Sequence, residues 1–273
     1  MEQYRDISYA MSGALTRAYS TSFSLSMRLF PSAMREHIYA VYGMVRLADE
    51  CVDSYAGNDR RELLDALEKE VKAATKRGYS TNPIVHAYGL TAQRYHITND
   101  LVTAFFKSMR MDVAPRSYDQ AAYETYIYGS AEVVGLMCLK VFLDNEEQYA
   151  KLERGARHLG AAYQKVNFLR DIKADAAELG RWYFPFGSYE TFDEKTKARI
   201  IKDIEKDFMA ARKAALQLPA SSQKAVMLSI EYYQKLLEKI QKTPAHKLKT
   251  KRIRINNVRK VALLTKTLTK GVK

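Results

Sequence analysis

The chain has 273 residues, 47% of them hydrophobic, which is enough to bury a sizeable core. Its net charge is +13, yet the segment 242–273 holds eleven Lys/Arg and no Asp/Glu, so the first 241 residues are close to neutral. The basic surplus is a property of one end, which either seeks phosphate on nucleic acid or an anionic membrane, or is simply a solvated tail.

No Gly/Ser linker, low-complexity tract or internal repeat marks a boundary, so a single domain over 1–273 is expected, with a basic C-terminal segment at 242–273. Cys51 and Cys138 lack metal-ligand or redox spacing and read as reduced thiols of a cytosolic protein. The start, MEQYRDISYAM, has no basic region followed by an apolar one and does not read as a secretory signal. No apolar run approaches the length of a membrane span. A soluble or peripheral protein is expected.

Apolar residues recur at helical spacing and strict alternation is rare, which predicts an all-α bundle. A long helix is expected after Pro31, ending near Gly57. Within it Tyr42, Arg46, Asp49 and Asp53 fall at offsets 0, 4, 7 and 11, a single stripe, while most residues between them are apolar. Glu50 extends the charge of that stripe. Asn82-Pro83 reads as an N-cap before a first-turn proline. Ser117 with Gln120, Asp144 with Glu147 and Thr191 with Glu194 have the spacing of capping boxes. Pro31, Pro115, Pro185, Pro219 and Pro244 fall at helix junctions. A second long helix is expected over much of 147–178. It carries Gln164, Asn167, Asp171 and Asp175 at offsets 0, 3, 7 and 11, with Arg170 beside the acidic pair.

One D-x-x-x-D on a helix is usually a solvated face. Two of them, each in an apolar setting and each matched by Arg, Gln or Asn, point to chemistry. If the stripes share a partly desolvated space, four carboxylates raise one another's pKa and oppose folding until a hard cation relieves them. Mg²⁺ suits such oxygen ligands and commonly takes one or two carboxylates together with substrate phosphates. Arg46 and Arg170 suit phosphate oxygens. A diphosphate substrate follows. No G-x-G, Walker motif, H-E-x-x-H or G-x-S-x-G occurs.

These residues resemble the squalene/phytoene synthase family. SFSLSMRLFPSAMREHIYAVYGMVRLADECVD is similar to its first signature, and YQKVNFLRDIKADAAELGRWYFP to its second, including the trailing Arg-x-Tyr-x-Pro. YIYGSAEVVGLMC and RIRINNVRKVALL resemble the middle and closing motifs. One departure is Glu132, where the middle motif has Gly. The resemblance implies an isoprenoid-synthase fold with a central cavity, in which two prenyl diphosphates condense head to head. Mg²⁺, with Mn²⁺ as a substitute, would lie between Asp49/Asp53 and Asp171/Asp175. Ser20, Ser22, Arg46, Gln164, Asn167 and Arg170 would contact diphosphate or order its water, while Tyr42, Tyr126 and Tyr183 would line the reaction chamber. The proton acceptor is open between diphosphate and Tyr126.

The expected activity is that of a bacterial-type phytoene synthase, a prenyltransferase acting on geranylgeranyl diphosphate without NADPH. The alternatives are a dehydrosqualene or presqualene diphosphate synthase using farnesyl diphosphate, and a non-catalytic relative acting as an interaction protein. The tail, with few aromatics for stacking on bases, is expected to meet an anionic membrane rather than nucleic acid. The expected location is the cytoplasm, peripheral at the inner membrane surface.

Overall fold

A computed structural model describes residues 2–114, 116–256 and 264–265; the side chains of Thr21, Ser22 and Arg116 lie outside the described set. The chain is all-α. In order, its helices are α1 (Glu2–Tyr19), α2 (Thr21–Met27), α3 (Ser32–Asp53), α4 (Arg60–Arg77), α5 (Pro83–Arg94), α6 (Asn99–Met111), α7 (Gln120–Ile127), α8 (Val133–Phe142), α9 (Glu146–Ile172), α10 (Glu194–Ala215), α11 (Ala220–Gln241) and α12 (Ala245–Leu248). π-helical turns follow α7 (Tyr128–Glu132) and α9 (Lys173–Glu178). Two-residue strands β1 (Arg116–Ser117) and β2 (Arg181–Trp182) pair in parallel, a clasp rather than a sheet layer.

Two long helices organise the packing. α3 lies among α1, α4, α5, α6 and α8, and α9 lies among α7, α8, α10 and α11. α3 buries Ile38, Val41, Met44, Ala48 and Val52, a spacing of three or four that keeps one face in the core. α9 buries Val166, Phe168, Leu169 and Ile172, side chains that stabilise by roughly 1.5–3 kcal/mol each on full burial. Its rotation is pinned from behind. Lys165 Nζ, buried, donates to Asp203 (2.5 Å) and Asp207 (2.7 Å) of α10, and His158 Nδ1 lies 2.8 Å from Asp207.

The helix after Pro31 stops at Asp53, short of the expected end near Gly57. Asn82 caps α5 as expected, accepting from the amides of Ile84 and Val85. The three expected capping boxes are displaced. Asp119, Asn145 and Asp193 are the caps of α7, α9 and α10, each accepting a backbone N–H of the first turn. Ser117, Asp144 and Thr191 lie one or two residues too far upstream for that bond. Pro31, Pro219 and Pro244 occupy the N-cap positions of α3, α11 and α12, and Pro185 follows β2. Pro115 lies outside the described residues. Among those described, no helix is long and apolar enough to cross a membrane, and both cysteines are free thiols.

Candidate active site

A cavity of about 760 Å³ runs between α3 and α9. α3 supplies Tyr42, Arg46, Asp49 and Asp53 to its lining, and α9 with its π turn supplies Gln164, Asn167, Arg170, Asp171 and Asp175. Both acidic pairs lie at C-terminal helix ends, where the backbone dipole favours cations. The opposite end is apolar, closed by Met27, Phe30, Phe142, Leu152 and Leu218, with the Phe30 and Phe142 rings stacked 5.2 Å apart. From Leu152 to Asp171 the axis of α9 runs about 28 Å. The chamber thus has a charged mouth and a deep apolar floor.

The carboxylates crowd one another. Burial, then the charge of Asp53, pushes Asp49 up to about 8. Burial, then Asp171, pushes Asp175 up to about 8, with Asp53 adding to the effect from the other stripe. The remaining two carboxylates are ion-paired. Asp53 accepts from Arg181 Nη1 at 2.8 Å, and Asp171 accepts from Arg170 Nη2 at 2.6 Å and pairs with Arg252 Nε at 2.8 Å. Arg46 donates through Nε to Glu50 (2.8 Å), lies 3.7 Å from Asp49 and sits 4.1 Å over the Tyr19 ring. Among the described residues no three acidic, imidazole or thiol groups converge tightly enough to hold a metal unaided. The donor set, all oxygen and in two opposed pairs, fits a hard divalent cation that completes its shell with diphosphate and water.

The remaining expected residues fall in the same place. Ser20 lines the cavity while its Oγ, as the cap of α2, accepts the Phe23 N–H at 3.2 Å. The Ser22 side chain lies outside the described residues. Tyr42 stacks on Phe23 (5.4 Å), and burial pushes its phenol up to about 12. Asn167 accepts a 3.4 Å bond from Tyr233, whose ring stacks on Tyr163 at 3.9 Å.

Sequence reasoning missed Asp112. It is 4% exposed at the end of α6, and its carboxylate accepts from Tyr126 (2.5 Å), Tyr183 (3.0 Å) and Tyr118 (3.3 Å). Burial pushes it up to about 6 against the pull of Arg181. Arg181, equally buried, donates to Asp53 and to the carbonyls of Val52 and Asp112, so it ties the ends of α3 and α6 together. Tyr183 stacks on Phe168 at 4.1 Å, and Tyr126 lies 4.9 Å from Tyr183. Arg181 begins the Arg-x-Tyr-x-Pro run, and Arg252 begins the RIRINN run, so both had a signal. Asp112 had none.

The squalene/phytoene synthase family model matches residues 16–259, nearly the whole chain. The chain belongs to the squalene/phytoene synthase family, a family of prenyltransferases. It is 33% identical over 75% of its length to a presqualene diphosphate synthase of Zymomonas mobilis, and 28% identical over 97% to the chloroplastic phytoene synthase 1 of Arabidopsis thaliana. The matched spans cover 68% and 67% of these relatives' own length, and 59% of that of two other presqualene diphosphate synthases, from Sinorhizobium fredii and Rhodopseudomonas palustris. A ligand-bound dehydrosqualene synthase shares the fold, with a TM-score of 0.81 at 20% identity, covering 98% of this chain and 97% of that one.

The family's middle motif forms the first π turn, and here it packs backbone to backbone on α9. A Cβ on Gly160 would lie 2.4 Å from the carbonyl oxygen of Ala131. Glu132, the departure from the motif, is outside the cavity lining and bonds Arg157 of α9 at 2.6 Å. Its charge is spent on that helix pair.

Proposed function

We propose that this chain condenses two prenyl diphosphates head to head, with geranylgeranyl diphosphate as substrate and phytoene as product. The observation that carries the reading is one cavity with two acidic stripes at its mouth and an apolar floor. A bound divalent cation would supply charge neutralisation of the leaving diphosphate. Asp49, Asp53, Asp171 and Asp175 would hold that cation, and Arg46, Arg170, Gln164 and Asn167 would orient the diphosphate oxygens. The apolar chamber then shields an allylic cation from water while the second chain's double bond attacks. Proton loss closes a cyclopropyl diphosphate, and a second ionisation leads to the linear product.

Tyr126 lines the cavity, which supports a part for it in proton removal. Its O–H already points at Asp112, so its oxygen can accept a substrate proton as its own passes to that carboxylate. The tyrosine and phenylalanine faces around it are suited to a passing cation.

A second reading, presqualene diphosphate from two farnesyl diphosphates, is favoured by the 33% identity to the Zymomonas mobilis synthase. Incubation with Mg²⁺ and labelled geranylgeranyl or farnesyl diphosphate, without NADPH, separates the two by product mass. A C40 hydrocarbon supports the first reading and a C30 diphosphate the second. No turnover of either substrate would overturn the enzymatic proposal.

A further inference from the structure

A second groove, of about 520 Å³, lies between α1 and the start of α3, away from the acidic mouth. Its charged lining is Arg17, Arg28, Arg35, Asp6 and Glu36, and Tyr39 forms an aromatic wall. Only one of the two acids is ion-paired with an arginine, and Glu36 has His37 Nε2 at 3.8 Å. Asp6 accepts from Arg5 Nε at 2.9 Å, and the cations acting on Glu36 are Arg5 and Arg94. Arg28 and Arg35 have no carboxylate partner among the described residues, and Arg17 lies 5.9 Å over the Tyr39 ring. Three guanidinium groups therefore line one groove against two carboxylates, one of which is already paired with Arg5.

Two further features say what kind of anion fits. Ile7 and Met11, four apart on α1, are 47% and 45% exposed, each one position from the groove residues Asp6 and Ala10. An apolar ridge beside a cationic slot matches a lipid surface, with phosphate in the slot and acyl chain on the ridge. The groove also lies at the floor end of the large cavity. Arg28 follows Met27 and comes two residues before Phe30, both of which line that floor.

We propose that the Arg17–Arg28–Arg35 groove is a binding site for the phosphate headgroup of an anionic phospholipid, and that it seats the floor end of the cavity on a membrane. The described part of the basic tail sits elsewhere. Arg252 is engaged with Asp171 at the acidic mouth, so a membrane held through it would meet the opposite end of the cavity. The groove and the tail thus assign the membrane to different ends of the molecule.

The test measures partition of the full chain onto vesicles of phosphatidylcholine alone and of phosphatidylcholine with phosphatidylglycerol. Arg28→Gln/Arg35→Gln, Ile7→Ser/Met11→Ser and, in the tail, Arg259→Gln/Lys260→Gln are compared at matched thermal stability. Loss of two near-surface cations is expected to weaken binding to the anionic vesicles about thirtyfold in the first variant. The Ile7/Met11 variant is expected to weaken binding to the same vesicles, and turnover of detergent-dispersed substrate is expected to be unchanged in both. Wild-type binding in Arg28→Gln/Arg35→Gln, with loss only in the tail variant, would overturn the proposal, as would no preference of the wild type for anionic vesicles. Inorganic phosphate bound at the groove as tightly as the vesicles would overturn the lipid assignment in favour of a soluble anion. None of these readouts depends on which prenyl chain the enzyme uses.

Discussion

Arg181 holds more of the site together than any aspartate does. It is 4% exposed and serves a carboxylate and two carbonyls from two helices. Replacing it by Met would leave Asp112 buried with no cation near it. Arg181→Met is expected to cost about 3–5 kcal/mol in urea unfolding. A cost below about 1 kcal/mol would show that the guanidinium is not the tie described. His37 gives a pH signature elsewhere in the core. Burial, with Arg94 adding, lowers it to about 4, and its Nδ1 lies 2.9 Å from Thr91 Oγ1. The folded state therefore favours neutral imidazole. That stability is full above the unfolded value near 6.5 and is lost as pH falls toward 4, on the order of 1–2 kcal/mol by pH 5. The difference in unfolding free energy between pH 7 and pH 5 should shrink by that amount in His37→Gln. At this scale the sequence was legible where spacing alone fixes a face, as for Asp49 and Asp53. It was illegible for Asp112, whose partners come from α7, the segment before it and the segment after β2.

Helix ends show why element boundaries were harder to read than helix faces. An Asx residue immediately before the first turn outcompetes a Ser, Asp or Thr one or two positions upstream, which a spacing rule does not register. The second acidic stripe was read as α-helical through Asp175, but the chain widens into a π turn at Lys173. The wider turn shifts the register yet leaves Asp175 in the cavity lining, as π-bulges at functional sites commonly do. The other π turn depends on close backbone contact. Gly160→Ala would press a methyl group onto the Ala131 carbonyl, which cannot swing aside as a side chain can. A loss of about 1–3 kcal/mol, read as a lowered Tm, is expected, with Gly57→Ala as a control because the three atoms nearest its added Cβ belong to the exposed Tyr55 side chain, which can swing aside. Equal losses in the two variants would show that the α9 contact is not special.

Across the whole molecule, the two long helices bring like charges and the negative ends of their dipoles to one mouth, while the apolar floor lies at the other end. Burial and mutual repulsion of these carboxylates oppose folding, and a bound cation would offset both. Mg²⁺ with inorganic diphosphate is expected to raise the unfolding free energy by about 2–3 kcal/mol at a hundredfold excess over Kd. The gain should disappear in Asp49→Asn, whereas an unchanged gain there would remove the α3 stripe from the binding site. If both stripes act on one diphosphate, turnover of labelled geranylgeranyl and farnesyl diphosphate must fail in Asp53→Asn and in Asp171→Asn alike. With circular dichroism confirming the fold, each variant alone is predicted to lose about a hundredfold or more in rate. A variant of either stripe that turns over within about tenfold of the wild type would show that its aspartate does not act on the diphosphate.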